Sequence, residues 1–259
     1  MKTALVTGAS SGIGFVYAKE LAISRGYRTV AVARRSDRLS ELAAEVKCNG
    51  GEILPLVVDL ALEAERERLF TYLRDERISV DLLVNNAGFG SLGPYSESDY
   101  RWERNMVEVN CIAPLHFMRH FLPLMTERGS GTILNVVSTC AFQPMPFMAT
   151  YGATKAFLLN FGLAVAVEVE KSGVLVVSHC PGPTESEFHQ VAGLPEKLSH
   201  LQAMTAEAVV KEALQAMDRR KLVVVNGLLN RMLARFARIC PPAIGAKLVG
   251  AVLRENANR

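Results

Sequence analysis

The chain has almost nothing from which to build a covalent framework. Its five cysteines (Cys48, Cys111, Cys140, Cys180 and Cys240) are scattered through 259 residues without a CxxC pair. That pattern excludes a disulfide scaffold and a cysteine-based metal site, so no metal is expected, and an odd unpatterned set suits a reducing compartment. Long uninterrupted apolar runs are lacking, and "MKTALVTG" enters a strand-like segment at once. Neither a targeting leader nor a membrane span is therefore expected, and the cytoplasm is the expected location. A dominant charge is lacking as well: the net value is +3. From Leu222 onward six basic residues stand against one acid, Glu255, so that tail carries +5 and the first 221 residues carry −2. A body of that charge is not a nucleic-acid binder.

What the chain does have is alternation. Nearly all-apolar segments occur at Thr3–Val6, Arg28–Ala33, Ile53–Val58, Leu82–Val84, Thr132–Val137, Val174–Ser178 and Leu222–Val225. Helical stretches fill the gaps between them, including Gly12–Ile23, Glu63–Asp75, Arg101–Arg128, Tyr151–Lys171 and Ala206–Met217. Strands apolar on both faces must be covered on both faces. The pattern predicts an α/β fold, a Rossmann-type doubly wound parallel sheet of about seven strands with helices on both sides. No repeat, low-complexity tract or linker interrupts it, so residues 1–259 are read as one dinucleotide-binding catalytic domain.

The first turn, "TALVTGASSGIG", sets Gly8, Gly12 and Gly14 between the first strand and the first helix. Glycines there allow a tight turn and let backbone approach a pyrophosphate at the helix N-terminus, with Ser10 and Ser11 adding hydroxyl donors. Twenty residues beyond Gly14, where an NAD-binding unit carries a ribose-binding acid, stand Arg34 and Arg35. A guanidinium fork suits a phosphate, so the pair points to the 2′-phosphate of NADP(H). The bland alternative is a charged surface turn.

Further motifs follow in order: "LLVNNAGFG", Asn110 in "VEVNCIAP", Ser138 in "NVVSTCA", "YGATK" from Tyr151 to Lys155, and "CPGPTESEF". Together with the opening turn they resemble the short-chain dehydrogenase/reductase family from Lys2 to about Val225, with "LLNRM" and "PGPTESEF" closest to its DltE-like branch. Tyr151 and Lys155, at i and i+4, share a helix face. An ammonium beside a phenol is expected to lower its pKa from about 10. In reduction Tyr151 would then protonate a carbonyl oxygen that Ser138 hydrogen-bonds. The resemblance implies that Lys155 also binds the nicotinamide ribose and that Asn110 seats a water linking Lys155 to solvent. It further implies cofactor contacts from Ile13 in the glycine turn, from Asp59 and Leu60 at the adenine, and from Asn86, Ala87 and Gly88 at the adenosine ribose, the last three serving as much to support the central sheet as to bind. Pro181, Gly182, Thr184 and Ser186 would close over the nicotinamide, Ser186 standing where the family commonly has threonine.

Phe142, Met145, Phe147, Met148, Phe188, His189, Val191 and Leu194 suggest a mainly apolar pocket for a small apolar ketone, aldehyde or alcohol, with residues 184–204 as a substrate lid. His189 and His200 read only as loop histidines. Residues 226–259 form a basic amphipathic extension. Its segment 228–238, with Leu228, Leu229, Met232, Leu233 and Phe236 opposed to Arg231, Arg235 and Arg238, can lie on a membrane, on the body or on a partner subunit. Pro241–Pro242 are expected to end that helix and start a second, short one. A homodimer or homotetramer through Arg101–Arg128 and Tyr151–Lys171 is a family expectation. The combined reading is an NADP(H)-dependent oxidoreductase. Its rivals are an NAD-preferring dehydrogenase and a non-catalytic dinucleotide sensor or scaffold.

Overall fold

A computed structural model describes residues 1–194 and 203–257. Seven parallel strands form one sheet in the order β3-β2-β1-β4-β5-β6-β7: β1 Thr3–Thr7, β2 Arg28–Ala33, β3 Glu52–Val57, β4 Leu82–Asn85, β5 Gly131–Val136, β6 Val174–Cys180 and β7 Val223–Val225. Each agrees with its sequence-predicted segment to within two residues. Pro55 is tolerated because β3 is an edge strand, where a missing N–H leaves no ladder bond unmade.

Side chains alternate across the sheet and divide the core into two layers. Ala4, Val6, Ala31 and Val84 meet helices α1 (Gly12–Ile23) and α2 (Ser36–Cys48) and a later helix, α8 (Ala206–Asp218). Leu5, Val30, Leu83 and Ile133 face the opposite way, onto α3 (Glu63–Asp75), α5 (Ala113–Arg128) and α6 (Ala149–Glu168). This is the doubly wound arrangement expected from the strand composition. By length and composition α6 could span a bilayer, contrary to the expected lack of such a segment, but its inner face is packed in the core.

The single helix expected over Arg101–Arg128 is broken. It consists of α4 (Tyr100–Val107), a wide π turn over Glu108–Ile112, and α5. Pro114 accounts for the break, because it has no N–H to return to the carbonyl of Asn110. The remaining elements are a one-turn α7 (Phe188–Val191), α9 (Leu228–Ile239) and α10 (Pro242–Ala257). The second tail helix is thus sixteen residues long rather than short.

Behind β6 lies a closed polar network. Asn226 donates from Nδ2 to the Val209 carbonyl and to Glu212, which leaves its Oδ1 2.6 Å from His179 Nε2. Nε2 must therefore carry the hydrogen, and Nδ1 accepts from the Tyr17 hydroxyl at 2.8 Å. Burial pushes His179 down to about 4, against a partial rise from the Asn226 bond. With its folded pKa below the unfolded value, the imidazole adds stability that is complete above about pH 6.5 and lost as pH falls toward 4. Between pH 7.5 and 5.5 the protein is expected to lose about 1.4 kcal/mol on this account. Urea midpoints should show that loss in the wild type and not in His179→Gln; equal slopes would contradict it.

Candidate active site

The strand order reverses between β1 and β4, and the carboxyl ends of these two strands open a crevice at the switch point. The resulting cleft has a volume of about 570 Å³, ample for a small-molecule ligand. Gly8 and Gly12 adopt left-handed backbone, with φ of 69° and 54°, which brings the turn beneath the first turn of α1. Ser11 caps α1 without using its side chain, so the helix N–H groups face the cleft unscreened by it. A Cβ on Gly14 would fall 2.2 Å from Asn86 Nδ2 and 2.3 Å from the Gly8 carbonyl. Gly14→Ala is accordingly expected to destabilise the fold by about 1–3 kcal/mol and to abolish dinucleotide binding. A melting temperature and an NADPH titration like those of wild type would contradict this packing.

The turn is clasped to β4 from within. Thr7 Oγ1 accepts from the backbone N–H groups of Asn86 (2.9 Å) and Ala87 (3.1 Å), and Asn86 Nδ2 donates to the Thr7 carbonyl at 2.8 Å. The Asn86 amide is therefore spent on holding β1 to β4, although its residue, with Ala87 and Gly88, lines the cleft. Asp59 and Leu60 lie at the end of β3, where Arg66 Nη1 fixes the Leu60 carbonyl at 2.5 Å.

The two arginines differ. Arg35 bonds Ser10 Oγ from Nε (3.3 Å) and Nη2 (3.2 Å) and pairs with Glu187 at 2.8 Å. Arg34 is exposed at the rim of the same cleft and makes no hydrogen bond or ion pair among the described residues. Glu187, from the loop after β6, had no role in the sequence reading. Its carboxylate bridges the mouth of the cleft to Arg35, with Arg38 3.8 Å away.

At the other end, Ser138 follows β5 and Tyr151 and Lys155 point from α6 into the cleft. Ser138 Oγ accepts from the Cys140 N–H at 3.1 Å, which fixes the side chain at the start of the turn after β5. Lys155 Nζ donates to the Val136 carbonyl at 2.9 Å and sits 5.8 Å from the Tyr151 ring centre. Burial drives the phenol well above its usual value, helped by Cys140 and opposed by the Ser138 bond. Burial thus acts against the acidification expected from Lys155, and it also lowers the lysine to about 8.

Asn110 does not reach the cleft. It is fully buried in the π turn, where its Oδ1 accepts from the Phe89 N–H (3.1 Å) and its Nδ2 donates to the Phe89 carbonyl (2.9 Å) and Thr154 Oγ1 (3.0 Å). A Cβ on Gly88 would touch both Asn110 Oδ1 and Lys155 Nζ. Asn110 thus ties α6, through Thr154, to the loop after β4, with Lys155 Nζ on the same side of Gly88.

Pro181, Gly182, Thr184 and Ser186 close the cleft from β6. The Phe188 ring lies 5.1 Å from that of Tyr151, and Met148, His189, Val191 and Leu194 extend the apolar wall. Three expected residues do not line the cleft itself: Phe142 packs under Arg238, while Met145 and Phe147 stand one layer back, in the same apolar cluster as Met148, Tyr151 and Phe188. Hydrophobicity marked them for that cluster without showing which of its members reach the cleft. Leu253 of α10 joins the wall instead, a contact from about a hundred residues away with no local signal. His189 is more than a loop residue, since its Nε2 bonds the Thr184 carbonyl at 3.0 Å and its Nδ1 is buried without a partner among the described residues. The middle of the expected lid, 195–202 with His200, lies outside the described residues.

A doubly wound parallel sheet, a glycine-lined crevice at its switch point and a Ser–Tyr–Lys cluster in that crevice define a dinucleotide-binding α/β protein. The short chain dehydrogenase profile matches residues 2–197, and the chain belongs to that family. A short chain dehydrogenase of Pseudocercospora fijiensis is 40% identical over 191 residues, 72% of this chain and 61% of the relative. The chain thus spans less than two thirds of that relative. A short-chain dehydrogenase from Sphingobium yanoikuyae, solved in complex with NADPH, is 33% identical and superposes with a TM-score of 0.83 over 88% of each chain. The bulky-bulky ketone specific alcohol dehydrogenase from Comamonas testosteroni is also 33% identical, with a TM-score of 0.78 over 88% of this chain and 87% of that one.

Proposed function

We propose that the protein is an NADP(H)-dependent oxidoreductase, of the DltE-like branch, interconverting an apolar ketone or aldehyde and its alcohol. One observation carries this reading: Arg34, unpartnered among the described residues, and a buried Ser138–Tyr151–Lys155 cluster open into one cleft. The glycine cradle, which a single Cβ at Gly14 would fill, and the uncapped N–H groups of α1 fit a dinucleotide pyrophosphate. Arg34 suits the 2′-phosphate, Asp59 and Leu60 the adenine, and Thr184 and Ser186 the nicotinamide side. A bound NADPH supplies the hydride.

The residues supply the rest. Burial keeps the phenol protonated, so Tyr151 Oη holds a proton for the carbonyl oxygen, and Ser138 Oγ donates a second hydrogen bond to that oxygen. Lys155, anchored on Val136, holds its ammonium beneath the phenol and stabilises the phenolate left after transfer. Phe188, Met148, Val191, Leu194 and Leu253 exclude water and favour an apolar substituent on the carbonyl. The bulky-ketone relative is compatible with that preference. Residues 184–204 act as the lid, 1–259 as one catalytic domain, and the unpaired cysteines fit a reducing cytoplasm. Exposed Phe157 and Val167 on α6, and Leu115 and Leu124 on α5, suit a homodimer or homotetramer.

The test is cofactor oxidation with NADPH and NADH in parallel across apolar ketones and aldehydes. Turnover with NADPH and little with NADH is expected. Turnover with NADH alone would assign Arg34 to the surface, and tight NADPH binding without turnover would favour a sensor.

A further inference from the structure

Helix α9 is seated on the body by its small face, and α10 by Val249, Gly250 and Leu253. On α9, Leu228, Leu229, Met232, Leu233, Phe236 and Ile239 fall within an arc of about 140°. Opposite that arc lies the buried face, where Ala234 packs inward and Asn230 meets Gly182. The large apolar side chains point away from the protein, with Leu228 70%, Phe236 58% and Ile239 83% exposed. A helix recruited only to cover its own body would be turned the other way. Helix α10 repeats the arrangement. Its Val249, Gly250 and Leu253 pack against Pro146 and the apolar cluster at the substrate end, while Ile244 and Leu248 remain exposed.

Charge says what such a surface fits. Between Leu222 and Arg254 there are five basic residues and no acid. Arg231, Arg235, Arg238, Lys247 and Arg254 are all exposed; on α9, Arg235 borders the apolar arc, Arg231 lies on the same flank, and Arg238 is drawn back over the Phe142 ring. We infer that α9 and α10 form a docking surface for an anionic phospholipid bilayer, with the apolar arc among the upper acyl chains and the cations at the phosphates. A second copy of the chain fits less well. A two-fold contact through this face would set the same five positive charges against themselves. The inference rests on this surface alone and not on the activity proposed above. It does place the bilayer against α10, the helix whose Leu253 closes the apolar end of the cleft.

The test uses the whole 259-residue chain in co-sedimentation with extruded vesicles. One set contains equal parts phosphatidylcholine and phosphatidylglycerol, the other phosphatidylcholine alone. Binding is expected to the anionic vesicles, at least about tenfold weaker to neutral ones, and to fall steeply as salt rises from about 0.05 M to about 0.5 M. R235E/K247E should weaken it by more than about tenfold, and L233S/F236S should do the same. All four side chains are exposed, and unchanged melting temperatures would show that the variants fold. Should the apolar pair fail that check, the charge pair decides alone. No binding to anionic vesicles at low salt, or equal binding to neutral ones, would overturn the inference. So would a dimer that L233S/F236S dissociates, which would assign the face to a second copy.

Discussion

Replacing Tyr151 by phenylalanine is expected to lower kcat for carbonyl reduction by roughly 10²–10⁴-fold while leaving NADPH affinity within about twofold. The substitution deletes one oxygen from a buried ring whose packing against Phe188 is retained. It removes the one hydroxyl that can hand a proton to an oxygen also hydrogen-bonded by Ser138. Steady-state kinetics beside a fluorescence titration of NADPH separate the two quantities. A variant with near wild-type turnover would remove Tyr151 from the chemistry, and a parallel loss of NADPH binding would reassign it to the cofactor site.

The second large effect is expected at the rim. Arg34→Ala should weaken NADPH by about ten- to a hundredfold, since a charge-assisted hydrogen bond to phosphate is worth about 1.5–3 kcal/mol, and should leave NADH nearly unchanged. Arg35→Ala should discriminate less between the two, because that guanidinium is already held by Ser10 and Glu187. Titrating both variants with both dinucleotides checks the pair. Equal losses for NADPH and NADH in Arg34→Ala would show that the residue does not read the phosphate.

The sheet was legible because parallel strands covered on both faces must be apolar throughout, and "TALVT", "LLVN" and "VLVVSHC" can be little else. The glycine turn and the shared helix face of Tyr151 and Lys155 were legible from spacing, whereas Ser138 was singled out by the family resemblance. What stayed hidden depends on contacts distant in sequence. The helix break at Asn110 needed the four-residue step to Pro114 to be weighed as a lost hydrogen bond. Asn110 sits in that break with its amide on Phe89 and Thr154, contacts that its motif alone did not reveal. The Tyr151–Lys155 spacing suggested an acidified phenol, yet burial is a property of the assembled cleft and has the opposite sign. Glu187 over Arg35, and Leu253 in the substrate wall, join segments that no local pattern relates.

The central claim is that this cleft moves a hydride to a carbonyl carbon while Tyr151 supplies the proton. Its most direct measurement uses NADPH deuterated at the transferring C4 position with the best apolar ketone from the cofactor-oxidation panel, followed by mass spectrometry of the alcohol. The account predicts one deuterium at the carbinol carbon from the wild-type protein and a product yield from Tyr151→Phe lower by at least about a hundredfold. Unlabelled alcohol, or a labelled product formed equally well by Tyr151→Phe, would contradict it.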